Sequence, residues 1–202
     1  MKTVRMYLLK AGTVKRFKPE ILAFVSRERV EKASRFVREE ERLLSLGAAY
    51  LMQRFAGQTV CDGKGKPRSD SVCFNVSHSR DLIGIALCDG AEIGLDIEKQ
   101  VSKPDGLVEY CLSDQEKGAY EQGVPFLDLY VSKESLGKAE GSGLLPGIRE
   151  IPALPLDGPV EYAGRVFYRH SVMLEGYFAS VTLEKSDFGI RTEWLDAPNM
   201  EF

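Results

Sequence analysis

The chain has 202 residues, of which 44% are hydrophobic and 28% charged, and a formal net charge of −3. That balance suits a soluble globular protein with enough chain to bury a core, as one domain or two small ones. It gives no whole-chain attraction to nucleic acid, and no apolar run approaches the length of a membrane span.

In chain order, residues 3–9 alternate as an opening strand, and Lys10, Lys15, Arg16 and Lys18 after it interrupt any leader-like pattern. Short helices are predicted at 20–24 and 27–36. A long one follows at 39–55, where Leu43, Leu44, Leu46, Ala49, Tyr50 and Met52 form an apolar stripe that Gly57 closes. The run Asp62-Gly63-Lys64-Gly65-Lys66-Pro67 is a loop by composition. Strands are predicted at 72–76, 82–87 and 93–97, with Gly90 in the turn between the last two. Residues 106–111 read as helix, and Ser113 with Glu116 three residues on forms a capping box that starts another. A helix at 127–139 precedes a Gly- and Pro-rich stretch, 141–159, that reads as mostly loop. Strands at 165–168, 177–183 and 190–194 close the chain. Cys61, Cys73, Cys88 and Cys111 show no C-x-x-C spacing, and two histidines give no zinc-site pattern. The expected setting is the cytoplasm, with these cysteines as buried or partly buried thiols.

Two runs carry the chemistry. In Gly94-Leu95-Asp96-Ile97-Glu98-Lys99, strand alternation projects Asp96 and Glu98 to one face. In Ser132-Lys133-Glu134-Ser135-Leu136-Gly137-Lys138, helical spacing stacks Glu134 on Lys138. Taken singly, a D-x-E pair is usually solvated and a K-E-x-x-x-K face is usually surface decoration. Brought together they offer three carboxylates beside a cation, a donor set for a hard divalent metal such as Mg2+ with substrate phosphates completing the shell.

Upstream lie Gly65-Lys66-Pro67 and Phe74-Asn75-Val76-Ser77-His78-Ser79. In this order and at these intervals the blocks resemble the 4'-phosphopantetheinyl transferases of the longer, monomeric class, the surfactin-synthetase-activator type, from about residue 24 to residue 138. The resemblance implies an α+β fold of two similar α/β halves, 1–100 and 101–202. They would be related by a pseudo-twofold axis, each with a small, mainly antiparallel sheet packed on helices, and with the active site between them. It also implies transfer of the phosphopantetheine arm of coenzyme A to a serine of an apo acyl or peptidyl carrier protein, with release of adenosine 3',5'-bisphosphate. The carrier class stays open among fatty-acid, polyketide and nonribosomal-peptide types. Asp96, Glu98 and Glu134 would bind Mg2+, with Glu134 the favoured base, directly or through water. Lys138 would neutralise a phosphate oxygen, and Ser77 and His78 would contact coenzyme A phosphates. Lys66 would meet the adenine and phosphate, and Arg29 and Lys32 the 3'-phosphate; Arg42 matches only across a one-residue gap.

The bland readings are an ion pair between Glu134 and Lys138, a buried His78 satisfied by backbone, and a solvated Lys66. Lys133 points elsewhere on its helix and is the less favoured lysine. Three departures stand out: Tyr130 where the family usually has Trp, Gly137 inside the motif helix, and the unmatched 141–159. Residues 103–126, with Leu107, Tyr110, Leu112, Lys117 and Tyr120, are the expected carrier-docking stretch, or core. A Mg2+-dependent hydrolase of coenzyme A or a related pyrophosphate, and a non-catalytic coenzyme A or carrier binder, are the competing functions. A short trimeric synthase fits this length less well than a monomer does.

Overall fold

The structure is a computed structural model that describes residues 2–63, 65–100, 106–143, 147–184 and 186–202. It is an α+β fold of two compact units, one made of Val4–Gly90 with Ile190–Phe202, the other built on Ala91–Gly189.

In the first unit, β1 (Lys2–Lys10) leads into three short helices, α1 (Ala11–Arg16), α2 (Lys18–Phe24) and α3 (Arg27–Ser34). The long helix α4 (Glu39–Phe55) follows. Glu39, Glu40 and Glu41 face the positive end of its dipole, and Gly57 takes the left-handed φ of 70° that ends it. Its apolar stripe, from Leu43 to Met52, packs with Phe74, Ile83, Ile85 and Leu87 in one core. A small hairpin, β2 (Val60–Cys61) and β3 (Pro67–Arg68), holds the glycine-rich loop. The strands β4 (Cys73–Ser79) and β5 (Leu82–Cys88) complete a four-stranded sheet of order β10-β1-β5-β4, where β10 is Phe188–Leu195.

In the second unit, β6 (Ile93–Lys99) precedes α5 (Leu107–Cys111), α6 (Asp114–Glu121) and α7 (Phe126–Glu140). A 3-10 turn at Ile148–Glu150 and the strands β7 (Gly158–Tyr162), β8 (Arg165–Leu174) and β9 (Tyr177–Glu184) follow. The sheet order is β6-β9-β8-β7, antiparallel throughout. The strand with the G-L-D-I-E run therefore pairs with β9, not with β5 just before it in sequence, and lies in the later unit although the sequence reading placed it within 1–100.

What fixes α7 on this sheet is glycine. A Cβ on Gly94 would stand 1.9 Å from the carbonyl oxygen of Ser135 and 2.6 Å from the amide nitrogen of Ala139, so the helix backbone rests directly on β6. Gly137 is excused its poor helix propensity in the same way, because a Cβ there would meet the Gly143 carbonyl oxygen at 2.3 Å. Beside Gly94, the Ser135 hydroxyl lies 3.0 Å from Ser180 Oγ and 2.8 Å from Thr182 Oγ1, which sets the rotation of the helix. Overpacking at Gly94 has no soft neighbour to yield. Gly94→Ala is expected to destabilise by ~1–3 kcal/mol or more, read as a fall in the thermal midpoint, whereas Gly12→Ala, with open space around it, leaves the midpoint nearly unchanged.

Candidate active site

Asp96 is 2% exposed on β6, opposite Ser180 of β9. Glu134 and Lys138 project from α7 one turn apart. The Lys138 ammonium donates to Asp96 Oδ1 at 2.6 Å and to the Leu95 carbonyl at 3.1 Å, and stands 3.8 Å from Glu134 Oε2. Two carboxylates from different elements thus converge on one cation.

Tyr130, one turn before Glu134, sets its phenol beside the Glu134 carboxylate and lowers that group's proton affinity, and Tyr130, Glu134 and Lys138 form one stripe at four-residue spacing. Burial, and after it the Asp96 charge, pushes the Glu134 carboxyl above the ordinary glutamate range, against the Tyr130 hydroxyl and Lys138, which hold it down. Burial also raises the Tyr130 phenol, and the hydrogen bond and charge of Glu134 and the charges of Asp96 and Glu98 add to it. Glu98 is half-buried on the same strand face as Asp96.

Among the described residues no group of three or more His, Cys, Asp or Glu is set close enough to hold a metal ion. Asp96 and Glu134 supply oxygen donors only, the type a hard cation takes, both face the Lys138 ammonium, and the Asp96 charge pushes the Glu134 carboxyl up.

Residues 92–186 match the family model of the 4'-phosphopantetheinyl transferase superfamily. Over that segment, a little under half of the chain, the sequence is similar to this superfamily. No curated protein matches the chain. The matched segment includes β6, α7 and the entire convergence of Asp96, Glu134 and Lys138.

The coenzyme A candidates lie upstream of the matched segment, in the first unit. Lys66 sits in the turn of the β2–β3 hairpin, where its amide donates to Asp62 Oδ1 at 2.9 Å. Arg29 on α3 donates to Thr59 Oγ1 at 2.9 Å, the residue just before β2, which draws it toward that hairpin, while Lys32 is exposed one turn on. Ser77 is buried on β4 and His78 is exposed, as adjacent strand residues on opposite faces should be. The reading of His78 as a buried histidine is thereby removed. Arg42 is exposed on α4 and donates to the Phe36 carbonyl.

Sequence reasoning missed what surrounds Lys133. That side chain is fully buried, with its ammonium 2.6 Å from Glu116 Oε2 and donating to the Ile151 carbonyl. Glu116 is more than a capping residue: it also accepts from the Ser113 amide at 2.8 Å and the Ala153 amide at 2.6 Å. A second buried cation, Arg169, donates to the carbonyls of Pro152, Ala153 and Pro155. Burial lowers the Arg169 guanidinium to about 10. Sequence pattern alone does not announce either cation, because their carbonyl partners lie in a stretch that reads as loop.

In the expected docking stretch, Leu107, Leu112 and Tyr120 pack in the core beside Phe126 and Leu129. Tyr110 is 71% exposed, and Lys117 pairs with Glu109. Residues 103–105, and 144–146 of the glycine-rich loop, lie outside the described residues. No helix among the described residues is long and apolar enough to cross a membrane.

Proposed function

We propose that the protein transfers the 4'-phosphopantetheine arm of coenzyme A to a serine hydroxyl of an apo carrier protein, releasing adenosine 3',5'-bisphosphate. The observation that carries this reading is the convergence of Asp96 and Glu134 on the Lys138 ammonium within the matched segment. The reaction is attack of a neutral hydroxyl on a pyrophosphate, which needs charge neutralisation, a base and in-line positioning. Asp96 and Glu134, with Glu98 on the same strand face as Asp96, would hold a Mg2+ ion that offsets the charge of the pyrophosphate. Lys138, already aimed between the two carboxylates, neutralises a phosphate oxygen. The raised proton affinity of Glu134 suits its carboxylate to accept the serine proton. Lys66, Ser77, His78 and the Arg29/Lys32 pair bind the phosphates of coenzyme A, where nearby negative charge favours the protonated imidazole of His78.

Adenosine bisphosphate should form only when an apo carrier protein is present; formation with water as the sole acceptor would mark a pyrophosphate hydrolase instead. Arg29→Ala and Lys32→Ala should each weaken coenzyme A binding by ~1.5–3 kcal/mol, the worth of a charge-assisted contact. By calorimetry the 3'-dephospho form should lose far less, and an equal loss for both ligands would remove the 3'-phosphate assignment.

Glu134 supplies a pH prediction. Its folded value is raised, so its contribution to stability is fully present below the ordinary glutamate value of 4.5 and is lost as pH rises through the folded value. Glu134→Gln should therefore raise the thermal midpoint at pH 7 in metal-free buffer while abolishing transfer. In the wild type the acidic limb of kcat/KM should lie above the ordinary glutamate range and move to lower pH as Mg2+ increases, since a cation favours the ionised carboxylate. A limb that ignores Mg2+ would separate Glu134 from the metal.

A further inference from the structure

The open end of the β4–β5 hairpin is closed by two cysteines. Cys73 begins β4, Cys88 ends β5, and the register makes them direct Cα partners. Directly opposed residues in an antiparallel ladder have Cα atoms ~4.5 or ~5.5 Å apart, depending on the type of pair. Both values fall in the ~4.4–6.8 Å window that a disulfide spans. Opposed side chains also share a face of the sheet, which brings the two Cβ atoms near each other. The two thiols differ in access: Cys73 is partly exposed, and Cys88 is 2% exposed, its thiol donating to the Asp89 carbonyl at 3.8 Å. Cys111 is buried in the other unit, and Cys61 is exposed on the β2–β3 hairpin.

We infer that Cys73 and Cys88 form a reversible redox site, with Cys73 the attacking thiol and Cys88 the resolving one. The oxidant is a low-molecular-weight disulfide. The Cys73 thiolate attacks one of its sulfurs, forming a mixed disulfide and expelling the first small thiolate. The Cys88 thiolate then attacks the Cys73 sulfur, expels the second small thiolate and leaves the Cys73–Cys88 bond. Two protein thiols lose two electrons and two protons, and the oxidant departs as two thiols. The product is a covalent rung at the mouth of the hairpin whose first strand carries Ser77 and His78. The inference stands on the register alone and holds whether or not the chain is a transferase.

The test is exposure of the folded full-length protein to oxidised glutathione, alkylation of remaining thiols, and tryptic digestion without reductant. Arg80 lies between the two cysteines, so cleavage there puts them in separate peptides that stay joined only if the bond has formed. The expected result is a linked Cys73–Cys88 pair that dithiothreitol separates. Cys88→Ser should instead retain glutathione on Cys73, and Cys73→Ser should leave Cys88 unmodified. A wild-type protein that keeps a stable glutathione adduct on Cys73, or that leaves both cysteines alkylated under conditions that modify Cys61, would overturn the inference.

Discussion

Asp96→Ala is expected to lower kcat/KM for phosphopantetheine transfer by roughly 10²–10³-fold, the usual loss when one preorganised electrostatic group is removed from a transition state. Two roles vanish together: an oxygen donor to the cation and the anchor that points Lys138 between the carboxylates. The fold should survive, because the Lys138 side chain is 28% exposed and its ammonium can rehydrate while still donating to the Leu95 carbonyl. Asp96→Asn keeps the shape but not the charge and should fall almost as far. Circular dichroism in parallel with rates separates a lost site from a lost fold. Near wild-type turnover by either variant, or full activity in excess EDTA, would remove Asp96 and the metal from the reaction.

The largest expected effect on stability lies elsewhere, at Lys133. Lys133→Met fills the same space but leaves Glu116 charged and buried without its cation, a change that costs about 3–5 kcal/mol when a buried ion pair loses one member. Urea denaturation should show the drop. The double variant Lys133→Met/Glu116→Gln should recover part of it, since no buried charge is left. The Gln oxygen can still accept from one of the Ser113 and Ala153 amides, though its NH2 cannot accept from the other. The pair also has a pH signature. Burial would raise Glu116, but hydrogen bonds from Lys133, Ala153 and Ser113 outweigh it and hold its folded value below 4.5. A depressed carboxylate contributes stability above its unfolded value and loses it as pH falls through the folded one. Wild-type stability should thus decline at acid pH more steeply than that of the double variant. Additive losses in the two single variants would mean that the two groups do not interact.

Much of the secondary structure was legible because local rules and tertiary packing agree. The acidic first turn, apolar stripe and terminal glycine of α4 place that helix at 39–55 from sequence, as observed. The Ser113–Glu116 capping box is present with both of its hydrogen bonds. Four of these helices and strands escaped. The helix α1 begins at Ala11 directly after a strand, with Lys10 at its cap position and no side-chain cap to announce it. The two-residue strands β2 and β3 are too short for periodicity to register. The strand β7 begins at Gly158-Pro159, residues that read as loop, and Pro is tolerated there because β7 lies at the sheet edge.

The candidate site divides along the same line. Strand and helix spacing put Asp96 with Glu98, and Glu134 with Lys138, from sequence alone. That Asp96 and Glu134 meet at Lys138 depends on Gly94, whose importance appears only because the α7 backbone lies where its Cβ would be. Gly137 looked like a flaw in the helix and is a contact surface. Tyr130 looked like a departure, yet its phenol stands beside Glu134 and helps hold that carboxyl's proton affinity down. Lys133, set aside because it points away from its neighbour, holds the chain at 149–151 to the helix.

The central claim is that the carboxylates gathered at Lys138 move a phosphopantetheine arm between molecules, and intact mass tests it most directly. Wild-type protein is incubated with coenzyme A, Mg2+ and a panel of apo carrier proteins, beside Glu134→Gln and a sample containing EDTA. The account predicts that at least one carrier gains the mass of a single phosphopantetheine group with the wild type and Mg2+ alone, and that this gain disappears when the carrier's acceptor serine is replaced by alanine. A carrier panel left unmodified while coenzyme A is consumed, or a mass gain undiminished in Glu134→Gln, would contradict it.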